Sequence, residues 1–433
     1  MENIIKIIFN ECKNENIICF VWKGISKISD ALEGKEDLDI YIPAEQRHSF
    51  EDVASRLGWF PLFPVIEYPE IAHYFYYSNG IFFHLHVYYQ FRTGNSLCKD
   101  FELEIKDPEL VSNVTTGVVT VSHELAKDIA IQRKFLKSRS LIGRLTMWNR
   151  RKKLAKEEAF LDLNSRSLPE SVIRFRRLVL YSSLRAIINT TRRYLSIIVL
   201  RRRRKLRTGL IVGIVGSDGT GKSTLVEELF SIFRPKFGVV RLCVGRPSIT
   251  PFTFPLWILR NFNFWARSLR KKRSSPKIKC GSVTLSKLGA LRAISVAVER
   301  YAVIQLCHFY GYLGYLVIVD RVPSSELNTF DCPRISPAGN NAFFRWLSLW
   351  EREIYNSMRV DFAVVLSAPL SVLLARNASR QKILKEDDDE ITHRYQLFQN
   401  YKPNAAKAVR VDATVPLADV VENVIEKITR EFT

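Results

Sequence analysis

The sequence predicts an α/β protein: a C-terminal parallel sheet with helices on both faces, an N-terminal α+β domain, and a helical basic segment joining the two. Three observations carry the prediction. From about residue 208 onward, β-rich apolar runs alternate with helical periodicity, the pattern of βαβ units. Up to about residue 125 the apolar runs are short, aromatic and broken by Gly, Pro and Asn. Between these regions, residues 141–207 hold 19 Lys/Arg against four Asp/Glu, a net of +15 in a chain whose whole net charge is +21. The expected domains are 1–125, 126–207 and 208–433; a chain of 433 residues is too long for one ordinary domain.

In the N-terminal domain, Ile4–Phe9 reads as a helix and Ile17–Val21, Leu38–Ile42 and Ile81–Tyr89 as strands. Trp22-Lys23-Gly24 forms a turn, and Gly34-Lys-Glu-Asp37-Leu-Asp39 follows after a gap. Asp37 and Asp39 are two apart on a strand and so share a face. Such a pair can hold a divalent metal that orients a nucleotide triphosphate; the plainer reading is a polar strand edge facing water. His84 and His86 alternate in the same way, either as a metal pair or as one half-buried face.

In the basic segment, Thr191–Arg207 places six apolar or aromatic residues between two arginine clusters. A second basic stretch, Pro251–Arg273, carries Trp257, Phe262, Phe264 and Trp265. Aromatic and basic residues together suit an anionic membrane surface or a lipid-linked saccharide. A helix packed across the domains fits equally well. Nucleic acid ranks below both, since no RNA-binding signature accompanies either stretch.

In the C-terminal domain the strands are expected at Leu210–Val215, Val239–Val244, Tyr315–Val319, Phe362–Leu366 and Ala408–Val411. The apolar stretch 301–319 reads as a buried helix running into the third strand. After Pro416, Leu417, Val420, Val421, Val424, Ile425 and Ile428 recur at helical spacing. The first strand runs into Gly216-Ser217-Asp218-Gly219-Thr220-Gly221-Lys222-Ser223-Thr224, which fits G-x-x-x-x-G-K-[ST] at every position. A helix follows, with Leu225, Val226, Leu229, Phe230 and Phe233 on one face. Glycines let such a loop curl its N–H groups inward on phosphate oxygens, and the helix N-terminus adds partial positive charge. Lys222 is placed to reach the β and γ oxygens of ATP, and Ser223 to offer its hydroxyl to Mg²⁺. The terminal phosphate goes either to water, as in a motor or switch, or to a second substrate, as in a kinase.

The residues downstream bear on that choice. The third strand ends in Val319-Asp320-Arg321, at the carboxyl edge where ligands sit in parallel sheets. An acid there can hold Mg²⁺ or take a proton from an attacking hydroxyl, and the arginine can bind an acceptor's negative charge. The alternative is an acid that caps the turn at Pro323, Ser324 and Ser325. Beyond the fourth strand, Arg376 and Arg380 are four apart and share a helix face. They read as a lid over the transferring group or as a solvated charged face.

The GSDGTGKST loop, the VIVDR strand end, the DFAVVLSAPLSVLLARNASR strand and lid, and the VRVDATVPLADVVENVIEKI terminus together resemble the thymidylate kinase family over roughly residues 208–433. The resemblance is closest to the divergent members found with bacterial polysaccharide genes. It implies an enzyme, an ATP-dependent P-loop kinase that uses Mg²⁺, with Lys222, Asp320, Arg321, Arg376 and Arg380 in catalytic roles. The chain departs from the family on the acceptor side. Val244-Gly245-Arg246-Pro247 stands where thymidylate kinases carry Arg-Glu-Pro, and Val322 where they carry an aromatic residue. Arg246 remains the candidate substrate contact. A sugar or sugar phosphate thus stands beside thymidylate as the acceptor, and a non-catalytic ATP-binding regulator is the rival from another class. Residues 15–110 resemble the nucleotidyltransferase superfamily through the Lys23-Gly24 turn and the D-x-D strand, with Ile25 and His84 at two positions of departure.

Seven scattered cysteines without a C-x-x-C pair read as free thiols in a reducing compartment. The N-terminus lacks a secretory pattern, and no run approaches the roughly 20 apolar residues of a membrane span. A cytoplasmic protein, peripheral to the inner face of a membrane if the basic stretches bind lipid, is expected.

Overall fold

The structure, a computed structural model, describes residues 3–64, 70–93, 101–105, 107–113, 117–138, 174–177, 191–192, 195, 204–245, 287–326, 329, 331–335, 342–378 and 388–432. The chain is mixed α/β and divides into two units, Met1–Arg207 with Thr429–Thr433, and Thr208–Ile428. Arg246, Arg380 and the Pro251–Arg273 stretch lie outside the described residues, as does most of the basic segment.

The first unit opens with α1 (Ile4–Asn14), begun by Asn3, whose side chain accepts from the Ile5 amide at 3.0 Å. Then come β1 (Phe20–Val21), α2 (Ile28–Leu32), β2 (Leu38–Tyr41), α3 (Arg47–Arg56), β3 (Phe60–Pro64), β4 (Ile71–Ser78) and β5 (Ile81–Tyr88). They are followed by β6 (Arg92–Thr93), β7 (Phe101–Glu104), β8 (Leu110–Asn113), β9 (Val118–Val121), α4 (His123–Ser138), β10 (Arg174–Arg177) and β11 (Arg204–Lys205). Eight strands form one sheet in the order β11-β3-β4-β5-β2-β1-β9-β8, and β10-β7-β6 form a second. Ile5, Ile8 and Cys12 of α1 and Phe50 and Val53 of α3 share a core with Val21, Ile40 and Leu85. Phe20, Trp22 and Tyr88 pack in a separate core with Ala126, Ile129 and Ala130 of α4.

Two expectations change here. The strand at Ile17–Val21 shortens to Phe20–Val21, because the Ile17 amide closes the turn after α1 on Cys12 and the Gln46 side chain takes the Ile18 amide. The segment from residue 126 is not helical throughout. It begins inside α4, and two of its described pieces are strands. β10 pairs antiparallel with β7, its register setting Arg174 opposite Glu104 and Arg176 opposite Glu102. β11 closes the edge of the larger sheet on β3.

The second unit runs β12 (Leu210–Gly216), α5 (Lys222–Phe233), β13 (Val239–Cys243), α6 (Lys287–Tyr312), β14 (Leu316–Asp320), α7 (Ala342–Ser357), β15 (Val360–Ser367), α8 (Leu370–Ala378), α9 (Asp388–Gln399), β16 (Ala405–Asp412) and α10 (Leu417–Thr429). The sheet order is β13-β14-β12-β15-β16, and every pairing is parallel. Alternate residues of a strand face opposite sides, and Ile211 to Gly216 are all buried, so both faces of the sheet are covered. Ile211 and Val215 share a core with Val303, Ile304 and Cys307 of α6. β12 is central and its two neighbours come from later in the chain, the place where ligands sit at the carboxyl ends of such sheets.

The helix expected to be buried at residues 301–312 is amphipathic instead: Phe309 is 56% exposed and Tyr312 89% exposed. Its outer face meets water while Val303, Ile304 and Cys307 face the sheet. The helix ends where Gly314 turns left-handed at φ +83° and the Tyr315 amide bonds back to Tyr310. Among the described residues, no helix is long and apolar enough to cross a membrane.

Candidate functional site

The carboxyl end of β12 turns directly into the glycine loop. Gly216 is obligatory there: a Cβ would stand 2.5 Å from the Thr220 hydroxyl and 3.1 Å from the Leu366 carbonyl oxygen. Gly219 and Gly221 are left-handed, with φ of +97° and +86°. The Ser217 carbonyl is the internal anchor of the curl. It accepts from the Thr220 hydroxyl at 2.8 Å and from Lys222 Nζ at 2.8 Å. α5 begins without a side-chain cap, so its first amides are not satisfied by a cap residue, and Ser223 and Thr224 are exposed at its start.

Asp218 sits on this loop at the meeting point of three cations. Lys222 Nζ is 3.6 Å away and Arg321 3.4 Å, both on Oδ1, while Arg394 of α9 donates to Oδ2 at 2.6 Å. Burial by itself would raise the Asp218 carboxyl, but Lys222, Arg321 and Arg394 outweigh it and hold the group below its ordinary value. Lys222 moves down: burial disfavours its charge more than Asp218 supports it.

Arg321 arrives from the neighbouring strand. The parallel register sets Asp320 beside Ile214, two residues before Gly216, and the Arg321 amide donates to the Ile214 carbonyl at 3.0 Å. Arg321 is left-handed, φ +69°, a conformation that costs a non-glycine residue about 1–2 kcal/mol. That turn sends its side chain toward the loop. Gly245 leaves room for it, since a Cβ there would meet Arg321 Cδ at 2.3 Å. Asp331 holds the other side of the guanidinium at 3.6 Å and is itself bound by Arg300 at 2.8 Å.

Asp320 does not cap the turn that follows it. Ser324 does, its hydroxyl accepting from the Glu326 amide at 3.2 Å. Among the described residues, Asp320 Oδ1 is buried without a hydrogen-bond partner, and Oδ2 meets the Cys243 thiol at 4.0 Å. A buried carboxylate oxygen and an exposed serine hydroxyl are donor types that suit a hard divalent cation. Arg376 reaches back from α8 to the loop, donating to the Gly219 carbonyl at 3.4 Å and the Ala413 carbonyl at 2.8 Å. It braces the loop backbone in this geometry.

In the first unit, Asp37, Asp39 and His86 bring their ligand atoms within 4.8 Å of one another. The partner in this cluster is His86 and not His84. Two histidines on one face are equivalent by periodicity alone, but the parallel register of β2 on β5 sets His86 opposite Asp39, with Nδ1 2.9 Å from Oδ1. His84, on the same face, is instead hydrogen-bonded to His73 at 2.9 Å and stacked on Phe75 at 4.2 Å. Burial and the Arg204 cation keep it neutral, its pKa pushed well below the ordinary value. Burial would raise both aspartates. For Asp37 a hydrogen bond from His86 reverses this, and for Asp39 Lys23 and His86 do, so both carboxyls lie well below the carboxylate range. Lys23 is the decisive neighbour. Its ammonium stands 3.2 Å from Asp39 and is held by the Tyr88 hydroxyl at 2.6 Å. With a buried cation already against Asp39 and an imidazole as third donor, the cluster does not fit Mg²⁺, which demands oxygen ligands in a near-octahedral set.

Compared with protein-family models and with curated proteins, the chain matches none.

Sequence reasoning missed Arg394, Asp331 and Arg300. Arg394 sits among Asp388, Asp389 and Glu390 and pairs with Glu390 four residues earlier at 2.7 Å, so by pattern it reads as a solvated helix pair. Only the packing of α9 brings its other nitrogen to the loop.

Proposed function

We propose that the second unit is a P-loop kinase that moves the γ-phosphate of ATP to a small acceptor, a sugar or sugar phosphate being the favoured class. One observation carries the reading: Lys222 and Asp218 of the loop and Arg321 of the adjacent strand meet within 3.6 Å, and next in sequence is Asp320, whose buried Oδ1 has no hydrogen-bond partner among the described residues. A nucleotide switch needs a water-positioning group, whereas a kinase needs an acid and a cation facing the acceptor side, and Asp320 and Arg321 meet that need.

In this mechanism the loop amides, the α5 N-terminus and Lys222 bind and orient the donor phosphates. Ser223 and Asp320 are the residues that would hold Mg²⁺, which supplies charge neutralisation on the phosphate oxygens when bound. Arg321 fixes the acceptor's anionic group or orients its hydroxyl toward the donor. Asp320 is also the nearest acid able to take the hydroxyl proton. Arg376 keeps the Gly219 turn in place.

The acceptor class is favoured by Val322. It is fully buried, and a Cβ on Gly213 would meet it at 2.0 Å, so it presents no aromatic face on which a base would stack. Thymidylate remains the second acceptor to be tried. The first unit, with a nucleotidyltransferase-like arrangement of Lys23, Gly24, Asp37 and Asp39, is read as a binding domain for the same substrate, since its cluster does not fit Mg²⁺. An anionic membrane surface or a lipid-linked saccharide is the partner proposed for the basic stretches. The test is a panel of saccharides, sugar phosphates and thymidylate incubated with γ-labelled ATP and read by mass spectrometry. A labelled saccharide supports the reading. Labelled thymidine diphosphate alone would replace the acceptor class, and ATP binding without any labelled product would favour a regulator.

A further inference from the structure

We infer that Asp331 is a positioning residue that sets the charge of the acceptor. By standing against Arg321 it makes the second substrate an uncharged saccharide hydroxyl rather than a sugar phosphate or a nucleoside monophosphate. The inference rests on the kinase reading and narrows it. Arg321 is the cation of the acceptor side, and two carboxylates flank its guanidinium. One terminal nitrogen stands 3.4 Å from Asp218 and the other 3.6 Å from Asp331. An arginine that captures a phosphate offers parallel N–H groups to two of the anion's oxygens. Here each terminal nitrogen already faces an acid, so an anionic acceptor has to displace a carboxylate and then lie beside it. Asp218 is shared with Lys222 and Arg394 on the donor loop, which leaves Asp331 as the acid of the acceptor side.

Asp331 is fastened from two helices. Its Oδ1 is held by Arg300 of α6 at 2.8 Å, and Arg300 also donates to the Tyr355 hydroxyl of α7 at 2.9 Å. The Asp331 and Arg300 side chains are 13% and 6% exposed. The stretch after Asp331 is tied to α7 as well. Glu351 accepts from the Arg334 amide at 3.0 Å and the Ile335 amide at 2.8 Å, and the Ser348 hydroxyl donates to the Ile335 carbonyl at 3.1 Å. Both of these side chains are buried. Asp331 is left-handed, φ +53°, as is Arg321. Such backbone in a residue other than glycine persists where its surroundings over-determine it. The negative charge therefore stays beside Arg321 when a second substrate arrives, and it disfavours an anion there by like-charge repulsion. A hydroxyl meets no such obstacle. The Arg321 side chain, 33% exposed, can donate to a hydroxyl oxygen while keeping Asp331. In transfer that oxygen bonds to the γ-phosphorus and the bond from phosphorus to the β–γ bridging oxygen breaks. ADP leaves with that electron pair, and the hydroxyl proton passes to Asp320.

The test uses the full chain with Mg²⁺ and a saturating non-hydrolysable ATP analogue, which fills the donor loop, and inorganic phosphate as the probe. Calorimetry is run on wild type, Asp331→Asn, Asp331→Glu and the Asp331→Asn/Arg321→Gln double variant, with melting temperature as the folding control. Asparagine tolerates the left-handed backbone, so Asp331→Asn removes the charge and keeps the shape. Asp331→Gly, which takes the same turn, replaces it if asparagine melts early. Asp331→Asn is expected to bind phosphate at least about tenfold more tightly than wild type, and Asp331→Glu to match wild type. The double variant should lose the gain, since both residues act through one contact. In turnover, neutral sugars are paired with their own monophosphates. Wild type should favour the neutral member, and Asp331→Asn should shift the ratio of kcat/KM at least about tenfold toward the phosphate, mainly through KM. A merely structural role would lower both members alike. No gain in Asp331→Asn, or an unchanged ratio, overturns the inference. If phosphate binding follows the pattern but no acceptor is labelled from ATP, the kinase reading fails and the charge screen on Arg321 stands. If wild type labels sugar phosphates or thymidylate faster than neutral sugars, the kinase reading stands and this inference falls. An ATP analogue that does not bind sinks both.

Discussion

Asp320→Ala separates a functional carboxylate from a structural one. Among the described residues its buried Oδ1 has no hydrogen-bond partner, and Oδ2 meets a thiol at 4.0 Å. A buried polar atom without a partner costs about 1–3 kcal/mol. Asp320 is only half-buried, so the low end applies, and a further part is lost because Lys222 forgoes a nearby negative charge. Its backbone carbonyl, which accepts from Val244 at 3.1 Å, is untouched by the substitution. The net expectation is a stability change between zero and a gain of about 1 kcal/mol, or up to ~2–4 °C in the melting temperature of a unit this size. Turnover should fall at least about 100-fold, or ~2.7 kcal/mol of transition-state stabilisation. Thermal unfolding of the full chain and an ADP-release assay measure the two sides. Had Asp320 served as a turn cap, its removal would cost about 1 kcal/mol and leave turnover unchanged. That pair of results refutes the reasoning.

Four further outcomes follow from the same geometry. Lys222→Ala should abolish ATP binding while leaving the fold intact; retained binding in equilibrium dialysis argues against the loop as the donor site. Gly221→Ala meets nothing within 4 Å, so its cost is the left-handed backbone alone, about 1–2 kcal/mol by urea unfolding, whereas a neutral result would mean the loop relaxes to another conformation. Gly245→Ala drives a Cβ to 2.3 Å from Arg321 Cδ and should lower kcat with ATP affinity kept; equal loss of both points to a collapsed loop. His84 is held neutral amid His73, His86, Asp37, Asp39 and Arg204, with its pKa depressed in the fold. The unfolded chain therefore binds a proton there first, and stability should decline as pH falls below about 6.5, by up to ~1.4 kcal/mol per pH unit. His84→Asn should flatten that slope in urea titrations between pH 8 and 5; an unchanged slope places the titration elsewhere.

The glycine loop and the five parallel strands were legible because both are written locally. Continuous apolar runs such as Leu316–Val319 have no face to spare for water, and the loop's residue order dictates its own curl. The strand end at Asp320 and Arg321 was legible for the same reason, since the carboxyl edge of a parallel sheet gathers what the strands deliver. What could not be read was pairing. Periodicity does not distinguish His84 from His86, and register does. The strands at Arg174–Arg177 and Arg204–Lys205 lie in an arginine-rich segment whose composition suggests an exposed helix, and only their partners, β7 and β3, make them strands. Arg394 was hidden by its own helix, where Glu390 supplies a complete local explanation, while the contact with Asp218 spans 176 positions of sequence. Lys23 likewise gave no sign in sequence that it would stand against Asp39 in place of a metal.

The fate of the terminal phosphate of ATP tests the central claim most directly. Full-length protein is given γ-labelled ATP, Mg²⁺ and a panel of saccharide acceptors, with Lys222→Ala as the control. The account predicts label covalently attached to an acceptor in the wild-type reaction and none with Lys222→Ala. Label recovered only as inorganic phosphate, at a rate no acceptor changes, would contradict it.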